Sequence, residues 1–95
     1  MNLIKGPCVY ILECADGTYY TGSTKHLENR LHAHHTGKGA KYVRGRGPAH
    51  VVYMKKYRYY KSALRAEWHL KQLTRKQKEM LVRQFQSVDM ERSDA

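Results

Sequence analysis

Arg30 and His34 stand four residues apart in a segment whose apolar positions, Leu27 and Leu31, recur at helical spacing. At i, i+4 on one helix face their heads can reach a common point. A guanidinium there can balance the charge of a pentavalent phosphate, and an imidazole can move a proton or hold a water. The plain alternative is a boundary arginine and a satisfied histidine. Glu67 is the second position of this kind. From Asn29 to Ala66 the chain has no Asp or Glu, yet it carries Arg30, Lys38, Lys41, Arg44, Arg46, Lys55, Lys56, Arg58, Lys61 and Arg65. Glu67 ends that stretch, between Arg65 and Lys71. A carboxylate inside a phosphate-binding region repels its ligand unless a divalent cation lies between them. Otherwise Glu67 is half of an i, i+4 ion pair. Residue type alone leaves both open.

The whole chain shares the excess. Its 95 residues hold 18 Lys and Arg against 8 Asp and Glu, a net charge of +10. A stretch of one sign repels itself, and phosphates are its natural relief, with steeply salt-dependent binding. An anionic membrane surface is the weaker alternative, since no segment pairs a basic face with a strongly apolar one. Eight tyrosines occur, and Tyr42, Tyr53, Tyr57, Tyr59 and Tyr60 interleave with the cations. They can stack on bases or bond phosphates, or serve as core. The loop from Gly37 to Gly47 lacks the Gly-Lys-Ser/Thr ending of a phosphate-binding P-loop, which argues against a nucleotide cofactor. His32 and His35 have i, i+3 spacing for zinc but no third ligand beside them.

The elements that must position these groups are short. Cys8 to Cys14 is rich in β-branched and aromatic residues and reads as a strand. Asp16-Gly17 offers the positive φ angles of a tight hairpin, and Tyr19 to Gly22 is the partner strand. Ser23 or Thr24 caps a helix that Gly37 stops. A third strand covers His50 to Lys56, with Val51 and Tyr53 on one face and Val52 and Met54 on the other. A second helix, capped by Ser62, runs to about Leu73, and Thr74-x-x-Gln77 is a capping box opening a third that ends near Phe85. Residues 1–85 form a single domain, and 86–95 a polar, disordered tail. The fold class is α+β, order β-β-α-β-α-α, with a small antiparallel sheet and helices packed on it.

The longest apolar run, Cys8 to Leu12, is far short of the ~20 residues of a membrane span, and no signal peptide is evident. Cys8 and Cys14, on one strand, are too far apart for a disulfide, so two free thiols in a reducing cytoplasm are expected. Oligomeric state is not legible.

Cys8-Val9-Tyr10, followed by Tyr20-Thr21-Gly22, resembles the paired motif of the GIY-YIG nuclease superfamily. Arg30-x-x-x-His34 resembles the helix motif after it. Gly37-Lys-Gly-Ala-Lys-Tyr42, Arg46-Gly-Pro48, Leu64-Arg-Ala-Glu67 and Lys71-Gln-Leu-Thr-Arg75 are similar to the small stand-alone members, so the likeness covers about residues 7–84. It implies a three-stranded antiparallel sheet flanked by helices. It also implies hydrolysis of phosphodiester bonds in DNA, with RNA as the other possible ligand, using one divalent ion, Mg2+ or Mn2+. By the same resemblance Tyr10 and Tyr20 are the paired active-site tyrosines, and one of them, with or without His34, activates water. Arg30 contacts the scissile phosphate and Glu67 holds the metal. Arg30, the metal and the surrounding cations would all favour the phenolate of such a tyrosine. Lys38, Lys41, Tyr42, Arg44 and Arg46 supply the nucleic-acid grip. With no appended reading domain, selection by substrate shape is expected, in DNA repair or processing.

The chain departs from the family pattern at several places. Cys8 replaces the first glycine, and Val9 and Thr21 replace isoleucines. Ser23 stands where many members carry Lys, His35 where close relatives have Asn, and no late Asn follows Asn29. These departures support a second reading, a DNA- or RNA-binding module with weak or no turnover.

Overall fold

The computed structural model describes residues 5–35 and 49–93, with side chains at all of these except 34, 35 and 87–93. The elements run β1 (Lys5–Cys14), β2 (Tyr19–His26), α1 (Leu27–His35), β3 (Ala49–Lys56), α2 (Tyr60–Lys71) and α3 (Arg75–Ser93). The three strands form one antiparallel sheet in the order β2-β1-β3. The α+β class and the element order read from the sequence are the observed ones.

β1 is the central strand and is covered on both faces, which is why it reads as an unbroken apolar run rather than an alternating one. Cys8, Tyr10, Leu12 and Cys14 pack on one face with Leu27 of α1 and with Ala49, and Tyr20, Leu31, Val51 and Met54 close the rim. Val9 and Ile11 pack on the other with Val52, Leu70 of α2 and Val82 of α3. Each fully buried apolar side chain contributes ~1.5–3 kcal/mol. Both cysteines are free and buried, as expected.

The hairpin joining β1 to β2 is wider than a two-residue turn. The Gly17 N–H donates to the Cys14 carbonyl at 2.9 Å and the Cys14 N–H to the Thr18 carbonyl at 2.8 Å. Within this hairpin only Gly17 takes a positive φ, +84°, so Asp16 does not share that role. Instead its Oδ1 accepts from the Thr18 N–H at 3.1 Å and from the Thr18 hydroxyl at 2.6 Å. This is a turn closed by a left-handed glycine, the common three-residue hairpin loop.

Several local expectations are corrected. β2 continues to His26, so neither Ser23 nor Thr24 is a helix cap. The Thr24 hydroxyl accepts from the His26 N–H at 3.1 Å, a small turn that bends the strand into α1. In β3 the pairing slips between Ile11 and Leu12, where Val51 opposes Leu12 and Tyr53 opposes Ile11. Val52 is the extra residue of a bulge. The alternation therefore breaks, and Val52 and Tyr53 share one core while Val51 and Met54 share the other.

Ser62 lies inside the first turn of α2, not at its cap; Tyr59 holds that place with extended backbone and no side-chain capping bond. The Thr74 capping box is present, with the Gln77 N–H donating to Thr74 Oγ1 at 3.2 Å and the Thr74 N–H to Gln77 Oε1 at 2.9 Å. α3 does not end near Phe85 but runs to Ser93, because no Gly or Pro follows Pro48 to break it. The Gly37 helix stop lies outside the described residues.

Candidate active site

The site begins with a missing side chain. Tyr10 of β1 faces Gly22 of β2 across the ladder, and Leu12 faces Tyr20. A side chain at 22 would stand in the path of Tyr10. A Cβ there would lie 2.7 Å from the Tyr10 hydroxyl, 2.9 Å from its Cζ and 3.1 Å from Tyr20 Cε2. Glycine thus lets the Tyr10 ring lie across β2, carrying its hydroxyl from the central strand to the edge strand. Tyr20, two residues earlier on the same face, meets it with ring centroids 6.4 Å apart and planes tilted by 47°. That spacing suits a favourable aromatic pair.

Two helices bring charge to this point. Arg30 rises from α1, exposed to solvent, while Leu27 beneath it is buried and Leu31 half-buried. Glu67 comes from α2, which is held on the sheet through Ala63 and Leu70. Both charges act on the Tyr10 phenol, which is 1% exposed. Burial pushes its pKa well above the ordinary tyrosine value; Tyr20, Glu67 and Cys8 add to the rise, and only Arg30 opposes it. Desolvation of an anion inside the core outweighs the attraction of one exposed guanidinium.

Glu67 is part-buried and held at both oxygens. The Ser23 hydroxyl donates to Oε1. Lys71 Nζ lies 2.7 Å from Oε2, with the two side chains 51% and 20% exposed. The i, i+4 ion pair weighed from the sequence is thus present. At that exposure such a pair is worth ~0.3–0.5 kcal/mol, weak enough for the lysine to be displaced. Among the described residues, no three His, Cys, Asp or Glu side chains cluster as a metal site.

The structure thus pairs Tyr10 with Tyr20 and sets Arg30 and Glu67 near enough for their charges to act on Tyr10. His34 lies in α1, with its side chain outside the described residues, as are Lys38, Lys41, Tyr42, Arg44 and Arg46. The interleaved tyrosines divide. Tyr53 and Tyr57 pack against the core, whereas Tyr59 is 56% exposed beside Arg58. Sequence reasoning missed the use of Ser23, whose hydroxyl is committed to Glu67 rather than to a helix end. The signal was weak, since a serine after a glycine fits many roles. It also passed over Trp68, which a helical projection of α2 places on the open side.

Residues 6–80 match the model of the GIY-YIG catalytic domain. The chain belongs to this family. The GIY-YIG match spans both tyrosines, Arg30 and Glu67, and the family is the nuclease family that the motifs resemble. A UPF0213 protein of Oceanobacillus iheyensis is 53% identical over 81 residues, covering 85% of this chain and 93% of its own. Another from Halobacterium salinarum is 47% identical over 73 residues, 77% of this chain and 95% of its own. Two solution NMR structures share the fold. The UPF0213 protein of Bacillus halodurans has 47% identity and a TM-score of 0.52, covering 80% of this chain and 81% of that one. The protein EF2693 of E. faecalis has 40% identity and a TM-score of 0.59, covering 86% and 88%. No helix among the described residues is long and apolar enough to cross a membrane.

Proposed function

We propose that this GIY-YIG domain is a metal-dependent endonuclease that hydrolyses phosphodiester bonds in DNA, selects substrate shape over sequence, and serves DNA repair or processing in the cytoplasm. The observations that support it most are the Tyr10–Tyr20 ring pair and the charges of Arg30 and Glu67, from different helices, both felt at Tyr10. In this reading Arg30 meets the charge that grows on the phosphate in the transition state. Tyr10, kept neutral by burial, donates a hydrogen bond rather than acting as base. Tyr20, half-buried at the edge strand, orients the attacking water, and His34 one turn beyond Arg30 carries the proton. Lys38, Lys41, Tyr42, Arg44 and Arg46 hold the phosphate backbone on either side.

The donor set fits one ion, Mg2+ or Mn2+. Such an ion is commonly held by one or two carboxylates, with waters and phosphate oxygens filling its other positions. Glu67 would be that carboxylate, its Oε1 steadied by Ser23 and its Oε2 released as Lys71 swings into solvent. The metal would supply positive charge to the phosphate and the leaving oxygen.

The same ion pair favours a second reading. If Lys71 holds Glu67 permanently, the domain binds DNA or RNA without turnover. Incubation of supercoiled plasmid, flap and junction DNA, single strands and RNA with the protein, in Mg2+, Mn2+ or chelator, tests this. Metal-dependent cleavage of a DNA form is expected; tight, salt-sensitive binding with no cleavage of any form would establish the second reading.

A further inference from the structure

α2 turns Ala63 and Leu70 to the sheet. Its opposite side, at helical spacing, presents Lys61, Leu64, Arg65, Trp68 and Lys71 to solvent. Trp68 is 62% exposed and Leu64 45%. A single exposed apolar residue is ordinary. These two are set apart by their neighbours. Leu64, Glu67, Trp68 and Lys71 line one shallow depression of about 220 Å3, so the indole opens onto the carboxylate of the candidate site. Its edge rests against the His69 ring, with centroids 5.2 Å apart and planes at 82°. Exposed cations of α2 flank the two apolar residues at one helical turn, Lys61 beside Leu64, and Arg65 and Lys71 on either side of Trp68.

A flat apolar surface ringed by cations suits a ligand that is aromatic in one part and anionic in the next. The depression is below the ~300–1,000 Å3 of a small-molecule pocket and takes one planar group. A protein partner covering the indole would have to desolvate the lysines as well. A nucleotide answers both needs, its base stacking on the indole and its phosphate meeting the ammonium groups. Inside a duplex each base is stacked on both sides, so only an unpaired base has a free face.

We propose that Trp68 is a stacking shelf for an unpaired DNA base next to the phosphate bound at Glu67, which makes single-stranded or frayed DNA the preferred substrate. This rests on the nuclease reading above but is tested without turnover. Trp68 is the only tryptophan in the chain, so its emission reports the shelf directly. The full-length protein, with Ca2+ in place of Mg2+ to bridge Glu67 and the phosphate, is titrated with a single-stranded DNA oligonucleotide and with a blunt duplex of equal length. Binding is followed in parallel by the anisotropy of a labelled strand.

Saturable quenching by the single strand, and little by the duplex, is expected. Trp68→Ala should weaken single-strand binding by about 10-fold or more, in keeping with ~1–3 kcal/mol for base stacking, and leave duplex binding unchanged. Trp68→Phe should restore most of it. Single-strand binding with unmoved emission, or undiminished in Trp68→Ala, overturns the shelf. So does emission that changes with protein concentration before DNA is added, which marks a contact between copies. Quenching as expected, without metal-dependent cleavage in the separate assay, upholds the shelf and removes only the nuclease reading.

Discussion

Gly22→Ala is the substitution most tightly constrained by the geometry. The added Cβ would meet the Tyr10 hydroxyl at 2.7 Å and its Cζ at 2.9 Å. To restore van der Waals contact the ring must retreat by ~0.7 Å or more. Tyr10 is 1% exposed and packed among Cys8, Leu12 and Leu27, so it has little room to retreat. Overpacking of this kind costs ~1–3 kcal/mol. Gly22 has no positive φ, so alanine adds no backbone strain and recovers ~0.4–1 kcal/mol through the unfolded chain. The net loss is ~1–2 kcal/mol, or a fall in Tm of roughly 5–15 °C for a domain of this size. Displacing the Tyr10 hydroxyl by most of an ångström should also cost ~10–100-fold in rate at temperatures where the variant is folded. Thermal unfolding and single-turnover plasmid cleavage read the two effects. The double variant with Tyr10→Phe, which removes the nearest atom, should cost less than the sum of the singles by ~0.5 kcal/mol or more. Wild-type Tm and rate in Gly22→Ala, or strict additivity in the double variant, would refute the close approach and the role built on it.

Four further outcomes follow from the same geometry. The raised pKa of Tyr10 means the folded state holds its proton where the unfolded chain has lost it. That stability is complete below the ordinary tyrosine value of 10.0 and is lost as pH rises above it, so urea unfolding at pH 8 and 11 should show a fall that Tyr10→Phe reduces. Ser23→Ala frees Glu67 Oε1 and should lower the cleavage rate by about 10-fold with DNA affinity unchanged, a split measured by kcat against KM; Ser23→Thr should recover most of it. Arg30→Ala should leave stability within ~0.5 kcal/mol, because the side chain is exposed, yet slow cleavage by about 100-fold with only a few-fold loss of binding. Among the described residues the buried Thr21 hydroxyl has no hydrogen-bond partner, so Thr21→Val should stabilise the fold by ~1 kcal/mol, seen as a higher urea midpoint.

The sequence carried the frame of the fold in local signals. The apolar run of β1, Gly17 at the turn, and the Thr74–Gln77 box each fix structure within a few residues, and each was legible. Events that depend on distant packing were not. The Val52 bulge arises where β3 must fit the central strand, and nothing in His50 to Lys56 marks it. Ser62 looked like a cap, but Tyr59, three residues earlier, already holds the extended cap position, and Ser62's N–H joins the first turn by donating to the Tyr59 carbonyl at 3.1 Å. The candidate site divides in the same way. Its residue types came from motif order, since Tyr10, Tyr20, Arg30 and Glu67 lie far apart in the chain. Their states came only from the fold. Burial of Tyr10 reverses the pKa direction that charge alone suggests, and Ser23 reaches Glu67 across 44 positions.

The central claim is that Glu67 serves chemistry rather than an ion pair alone. Its most direct test is single-turnover cleavage of the best DNA form by wild type and Glu67→Gln across a Mg2+ titration, with DNA binding measured beside it. Glutamine keeps the size of the side chain and an acceptor for Ser23 but removes the negative charge. Wild-type activity should rise with Mg2+, and the variant should bind DNA as well or better yet cleave at least about 100-fold more slowly. A variant that cleaves at the wild-type rate, with the same Mg2+ dependence, would contradict it.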